Sequence, residues 1–540
     1  MRARRNSGLF WNEDDLPARF LLPAPVSSHR YLIGGQIRSW MGKTAPVLSP
    51  IYVRKSGRLL RKNIGSYPLL GGREALVALR AAKSAFDGGN GAWPSVTITQ
   101  RVDAVRRFMS RLVRKKRAIV RLLMWEIAKP YKELEDEFAR TLDYVEQVTN
   151  RALEKEKYYA TVAREKGILG ITRDEPLGVA LCMGPYNYPL FETFSLLFPA
   201  LLMGNTTIVK PPRFGVLFFD YLLEDFAACF PPGAVNCLFG DGPTIIEPLM
   251  KSGQVDVLAF IGSARTANHL INLHPRKNRL KSLLGLGAKN VAVILPDADL
   301  ETTVKESILG ALAFNGQRCA ALKMFFVHED YLELFLKALE EELKRIKIGM
   351  PWEEGVRITP LADVERVGYL ELMVADALRL SAKIVNAGGG RPFKSVYYPT
   401  ILCPVTPRMR IYHEEQFGPV MPVVPFKNIK VPGDYIVKSP FGQQASIFGG
   451  DATEIRGLVN LIKNQVSRIN INTKCQRGPD VFPFAGRKDS AKGDFSVSGI
   501  LDAFSAKSIL AARENPWSKR LFRKLGDVPQ GDTLRPKNCK

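Results

Sequence analysis

From Thr97 to Ala160, charged and apolar residues interleave so that an apolar position recurs every three or four residues, the pattern of long amphipathic helices. Val102, Val105, Phe108, Leu112 and Val113 fall on one such stripe, and Pro130 marks a joint between two helices. From Leu177 the texture changes. Val179–Met183, Thr206–Lys210, Val255–Ile261 and Val291–Leu295 are short apolar runs, each ended by Gly, Pro or Asp and separated by helical stretches. Strands alternating with helices predict a parallel α/β sheet. A second alternation from about Ala313 to Ile471, through Lys323–Val327, Ala382–Val385 and Ser467–Ile471, predicts a second α/β domain. Ala160–Ile171 and Phe495–Leu501 are candidate edge strands. Beyond about Asn515 the chain is basic, Pro/Gly-dotted and poor in apolar residues, which predicts a loosely held tail over 515–540.

At 540 residues and 46% hydrophobic content, the chain can bury roughly two to four domain cores. The apolar stretch Phe191–Val209 is interrupted by Glu192, Asn205 and threonines, so no membrane span is expected. Met1–Asn12 is basic but lacks the apolar core of a secretory signal, so export is not expected either. Seven cysteines without a CxxC pair fit a reducing, cytoplasmic setting. Five histidines, with His269 and His274 the nearest pair, lack zinc-helix spacing, and no metal is expected.

The net charge of +24 gathers partly in runs at Arg54–Lys62, Arg106–Arg117, Arg276–Lys281 and Lys519–Lys524. Such runs serve nucleic acid or an anionic membrane, or they form a solvated surface that attracts anionic metabolites. Arg106–Arg117 shares its stretch with an apolar stripe, as the wet face of a helix does, and no nucleic-acid motif accompanies the runs. The expectation is therefore no nucleic acid and no membrane partner.

Two segments carry candidate chemistry. In Phe314-Asn315-Gly316-Gln317-Arg318-Cys319, the adjacent Arg318 and the flexible Gly316 favour a thiolate and access to it, although a lone cysteine is as readily a small core residue. Gly184-Pro185-Tyr186-Asn187-Tyr188-Pro189 follows a strand end, where open α/β sheets bind ligands. An Asn187 amide there could donate to an oxyanion or simply cap a Pro-locked turn.

Together with Asn187 and Cys319, the ordered segments Ile208-Val209-Lys210-Pro211, Gly262-Ser263, Gly287-Ala288-Lys289-Asn290 and Glu414-Glu415-Gln416-Phe417-Gly418-Pro419 resemble the landmarks of the aldehyde dehydrogenase superfamily, from about Tyr31 to Phe504. The resemblance implies a Rossmann-like cofactor domain over 1–160 and 179–290, an α/β catalytic domain over 291–480, and a small β oligomerisation arm over 160–178 and 485–510. A homo-oligomer, dimer or tetramer, follows from such an arm. It also implies that Cys319 attacks the aldehyde, that Asn187 and the Cys319 backbone N–H hold the oxyanion, and that a thioester forms on Cys319 after hydride transfer. Lys210 would meet the adenosine ribose, Gly262 and Ser263 the pyrophosphate, and Glu415 with Phe417 the nicotinamide ribose and ring. Arg213 stands where NAD-preferring members carry an acidic residue, so NADP is the expected cofactor, with NAD possible.

Within the superfamily, Arg140, Arg318, Arg477 and Tyr188 resemble the phosphate-binding set of the NADP-dependent non-phosphorylating glyceraldehyde-3-phosphate dehydrogenase branch. A phosphorylated small-molecule aldehyde is the implied partner. One departure stands out: Gly285 occupies the position of the family's general-base glutamate, at the family's spacing from Cys319. Three readings follow: water hydrolyses the thioester with another base, coenzyme A or a different acceptor takes the acyl group, or the protein is catalytically impaired.

Overall fold

A computed structural model describes residues 8–159 and 161–526. Most of the basic amino terminus, the first residue of the expected arm and the end of the expected tail fall outside the described residues.

One sheet has eight strands in the order Ala491–Lys492, Lys281–Gly285, Val257–Ile261, Val179–Met183, Thr206–Val209, Val235–Cys237, Arg30–Ile33, Gln36–Ser39. Its five inner strands from Lys281–Gly285 to Val235–Cys237 run parallel, as the β/α alternation predicts. Strands Val179–Met183 and Thr206–Val209 are buried at every position, which is why they are continuous apolar runs without alternation. The chain winds from Val179–Met183 outward to Val235–Cys237, then crosses back to lay Val257–Ile261 on the other side. The resulting switch point, where such sheets leave a crevice, lies between Val179–Met183 and Val257–Ile261.

The second sheet has seven strands, ordered Lys383–Ile384, Thr400–Cys403, Val420–Phe426, Leu322–His328, Asn290–Ile294, Gln444–Phe448, Arg468–Ile471. All pairings are parallel except that of Lys383–Ile384.

Helices Gly72–Phe86 and Phe191–Leu202 lie against the first sheet, and Ile98–Arg114, Lys116–Ile127 and Tyr131–Tyr159 pack on one another and around Phe191–Leu202. Thr97 opens the first with a capping box to Gln100, and Val102, Val105, Phe108 and Leu112 form its buried stripe. Val113, expected on that stripe, is exposed. Arg106 meets Glu146 on the wet face at 2.6 Å. The joint at Pro130 follows a left-handed Ala128 (φ 52°). Helix Phe191–Leu202 is buried at all 12 positions, apolar but for Glu192, Thr193 and Ser195, as a core element is. Among the described residues, no helix is long and apolar enough to cross a membrane.

Two expectations need correction. Phe495–Leu501 is not a strand: its apolar side chains pack into the main core, and the Phe495 carbonyl accepts from Tyr144 Oη at 3.0 Å. The small sheet instead pairs Ser505–Arg513 with Ile168–Pro176 and Ala163–Glu165, all antiparallel. The tail is also partly helical, over Pro516–Gly526. Asn515 Oδ1 accepts from Ser518 N at 2.8 Å to start it, and Phe522 buries against Leu169 and Ile171.

Candidate active site

Helix Leu300–Leu312 leads into a left-handed stretch, Phe314 (φ 46°), Asn315 (φ 57°) and Gly316 (φ 71°). Asn315 Oδ1 accepts from Thr359 N at 2.9 Å, which holds that unusual backbone. A Cβ on Gly316 would lie 2.6 Å from Gly418 O and 2.7 Å from Ala311 O, so only glycine fits. The loop delivers Cys319 to the start of strand Leu322–His328. There the Cys319 carbonyl accepts from Asn290 Nδ2 at 2.8 Å and Lys323 Nζ at 2.7 Å. Half-buried Cys319 lines a pocket with Glu192, Gly285, Arg477, Phe484 and Phe495.

Burial pushes the Cys319 thiol up, and the Glu192 carboxylate adds to this; Lys323, Arg477 and Arg318 pull the other way. The net direction is upward. Adjacent Arg318 therefore does not by itself make a standing thiolate, because desolvation outweighs it, and the thiol needs a proton acceptor.

Asn187 does sit beside the nucleophile loop: its Nδ2 donates to Gln317 O at 2.7 Å, which leaves the second amide N–H for an oxyanion. A buried ion pair that the sequence did not reveal holds this turn. Lys129 Nζ lies 2.6 Å from Glu137 Oε2, donates to Asn187 O at 3.3 Å and stands 3.3 Å over the Tyr188 ring. Glu137 Oε1 accepts from Phe191 N at 3.1 Å, joining the same brace to the start of helix Phe191–Leu202.

The four residues expected to bind phosphate are only partly brought together. Arg140 and Arg477 both stack on Phe191, at 4.3 and 4.7 Å. Each is already met by carboxylate. Arg140 forms a two-pronged contact with Asp480 at 2.7 and 2.9 Å, and buried Arg477 contacts Glu192 and, at 3.3 Å, Asp480. Arg318 is half-buried, and the nearby Glu133 carboxylate favours its charged form. Two guanidiniums faced by two carboxylates leave the Phe191 end close to neutral.

The switch-point crevice is an open cleft lined by Lys210, Arg213, Phe214, Phe260, Thr266, His269 and Leu270, among others. Burial lowers Lys210 to about 8, whereas Arg213 is exposed. Ser263 caps helix Ala264–Leu273, its Oγ accepting from Thr266 N at 3.1 Å, and Gly262 N donates to Gly285 O at 2.9 Å. Tyr186 bridges the cleft to the catalytic side, edge-on to Phe214 at 5.7 Å and to Phe417 at 6.1 Å. Glu415 lies 2.6 Å from Lys323 Nζ, and its Oε1 accepts from Ala288 N at 3.3 Å. Lys323 thus ties the nucleophile's carbonyl to Glu415, a link that long-range folding alone supplies.

Gly285 ends strand Lys281–Gly285 and shares the Cys319 pocket. A Cβ there would meet Ile261 Cγ1 at 3.1 Å and Phe495 Cζ at 3.4 Å, so a side chain fits with a small shift.

Comparison with known proteins agrees with this geometry. The model of the aldehyde dehydrogenase family matches residues 55–509. The NADP-dependent glyceraldehyde-3-phosphate dehydrogenase of Streptococcus equinus is 30% identical over 82% of this chain and 92% of its own length. That of Pisum sativum is 28% identical over 87% of this chain and 92% of its own. The crystal structure of NADP-dependent glyceraldehyde-3-phosphate dehydrogenase from Bacillus halodurans C-125 complexed with NADP superposes with TM-score 0.81 at 29% identity, covering 90% of this chain and 99% of that one. The succinate-semialdehyde dehydrogenase structure from Burkholderia pseudomallei gives TM-score 0.80 at 26% identity, over 91% and 98%. With the Cys319 loop, the Asn187 amide beside it and the switch-point cleft in place, the chain belongs to the aldehyde dehydrogenase family.

Proposed function

We propose that the protein is an NADP-dependent aldehyde dehydrogenase that converts glyceraldehyde 3-phosphate to 3-phosphoglycerate. The observation that carries the reading is the pair of cations, Lys210 and Arg213, in a switch-point cleft whose aromatic bridge, Tyr186, leads to Phe417 on the catalytic side. Apolar walls at Met183, Phe260 and Leu270 suit an adenine, and two cations suit a ribose carrying an extra phosphate. The names of the relatives from Streptococcus equinus and Pisum sativum support both cofactor and substrate.

In this reading Cys319 Sγ gives its proton to solvent water and adds to the aldehyde carbon, while the free N–H of Asn187 holds the oxyanion. Bound NADP would supply the hydride acceptor, held by Lys210, Arg213, Glu415 and Phe417. The acyl group stays on Sγ until an acceptor removes it. Arg140, Arg477, Arg318 and Tyr188 would receive the substrate phosphate, with Arg140 and Arg477 exchanging carboxylate partners for it. The balance of Asp480 and Glu192 against these arginines favours a second reading, an aldehyde with a neutral polar tail. A homo-oligomer, dimer or tetramer, built on the strand Ser505–Arg513 completes the proposal, and the six described cysteines, all free, fit the cytoplasm.

The test is a panel of phosphorylated and unphosphorylated aldehydes with NAD or NADP, adding inorganic phosphate or coenzyme A in turn, with the acyl product identified. Fastest NADPH formation with glyceraldehyde 3-phosphate and release of the free acid support the reading. Preference for unphosphorylated aldehydes, or a product seen only with coenzyme A, would refute it.

A further inference from the structure

We propose that Glu192 is the general base of this active site, taking a proton from the water that hydrolyses the Cys319 thioester. This rests on the function proposed above. Among the side chains lining the Cys319 pocket, Glu192 is the one carboxylate. It is buried in the first turn of helix Phe191–Leu202, directly after the brace from Glu137 to Phe191 N, so its position is fixed from both sides. Its contacts with Arg477 Nη1 and with Ser195 Oγ at 3.4 Å both fall on Oε2. That leaves Oε1 as the oxygen turned to other work. The Ser195 contact and the Glu137 brace on Phe191 N keep the group in place when Arg477 turns to the substrate, and the Cys319 thiol feels the Glu192 charge more than any other single charge.

The opposite wall carries the complementary feature. Gly285 presents no side chain toward the same pocket, so a water can stand where a carboxylate at 285 would reach. In deacylation the water oxygen bonds to the acyl carbon and its proton passes to Glu192 Oε1. The carbon–sulfur bond breaks, its electron pair returns to Cys319 Sγ, and the acid leaves; Glu192 then releases the proton to solvent. Electrons and atoms balance without a further reagent.

A plain counter-ion of Arg477 would not behave in this way under single-turnover conditions. In Glu192→Gln, mixed with glyceraldehyde 3-phosphate and NADP, the burst of NADPH is expected to persist while steady-state turnover falls roughly 100-fold, in the range of a lost general base. Intact-mass measurement should find the acyl adduct accumulating on Cys319. Hydroxylamine, which cleaves a thioester without a base, should restore NADPH turnover, and Gly285→Glu added to Glu192→Gln should restore it at least tenfold. A burst and steady state that fall together, with no adduct and no hydroxylamine rescue, overturn the assignment. A wild type that gives no NADPH from any aldehyde refutes the function itself, whereas an active wild type matched by Glu192→Gln refutes only the base.

Discussion

Replacing Arg213 tests the cofactor assignment most directly. Its guanidinium is exposed and lies 5.1 Å over Phe214 in the cleft that Lys210 also lines. An exposed charge-assisted hydrogen bond to a 2′-phosphate contributes about 1–1.5 kcal/mol once solvent screening is counted. Arg213→Ala should therefore raise the KM for NADP about five- to tenfold, and that for NAD less than about twofold. Arg213→Glu adds repulsion: a unit charge about 5 Å from a dianion in water costs about 1.7 kcal/mol, for a total near 3 kcal/mol, or roughly 100-fold. Lys210 adds a pH signature. Its burial-lowered value of about 8 means that it is charged below that pH and neutral above it, so affinity for NADP should fall as pH rises through 8 while that for NAD falls less. Steady-state kinetics with both cofactors from pH 6.5 to 9.5 measure all of this. Equal changes for NADP and NAD on Arg213→Glu would refute the reasoning, because only NADP carries the phosphate.

Four further outcomes are expected. Asn187→Ala should lower kcat roughly 100- to 1000-fold with little change in cofactor KM, as loss of an oxyanion donor does; an effect under tenfold in stopped-flow hydride transfer would count against it. Lys323→Met removes a cation that pulls the Cys319 thiol down, so iodoacetamide should alkylate Cys319 roughly three- to tenfold more slowly at pH 8, and an unchanged rate would place the cation's influence elsewhere. Glu126 is wholly buried and raised by desolvation to about 7, although it accepts from Val216 and Leu217 N–H; its protonated form is favoured in the fold, so stability present below about 4.5 is lost as pH rises to 7, on the order of 3 kcal/mol. Melting of the wild type should thus decline from pH 5 to 7.5 more steeply than that of Glu126→Gln, and parallel slopes would reject the assignment. The strand Ser505–Arg513 exposes Ile509 and Leu510, so light scattering should give a dimer or tetramer, and a monomer mass contradicts the arm's role.

Periodicity made the parallel strands legible because they are buried on both faces: Val179–Met183 is located to the residue, and Thr206–Lys210 misses by one. Ser505–Arg513 escaped because it is almost wholly exposed and its short apolar run, Ile509–Ala512, shows no alternation, while Phe495–Leu501 looked strand-like from apolar residues that in fact fill a core. The motifs pointed to Asn187 and Cys319, which the structure sets on neighbouring loops, and to Lys210 and Arg213, which line one cleft. They could not locate Glu137, Lys323 or Glu192, each of which acts through a partner distant in sequence: Phe191, Glu415 and Arg477 respectively. The arginine set was visible as a pattern of like charges, whereas the carboxylates that meet two of them, Glu192 and Asp480, became evident only in the fold.

The structure also explains why a glycine at 285 need not dismantle the site. Cys319 is placed by the Gly316–Gly418 approach and by Asn290 and Lys323 on its carbonyl; Asn187 is placed by Lys129 and Gln317. None of these contacts passes through residue 285. Changing that residue alters which group can accept a proton and leaves nucleophile and oxyanion donor where they are. A proton acceptor needs only to reach the water, and the pocket has more than one wall from which to do so. Helix Phe191–Leu202 supplies a carboxylate from one wall, and strand Lys281–Gly285 could regain one at the cost of a 3.1 Å contact with Ile261. The frame and the base are therefore separable in this fold, which is the condition under which a base can change position without the chemistry being lost.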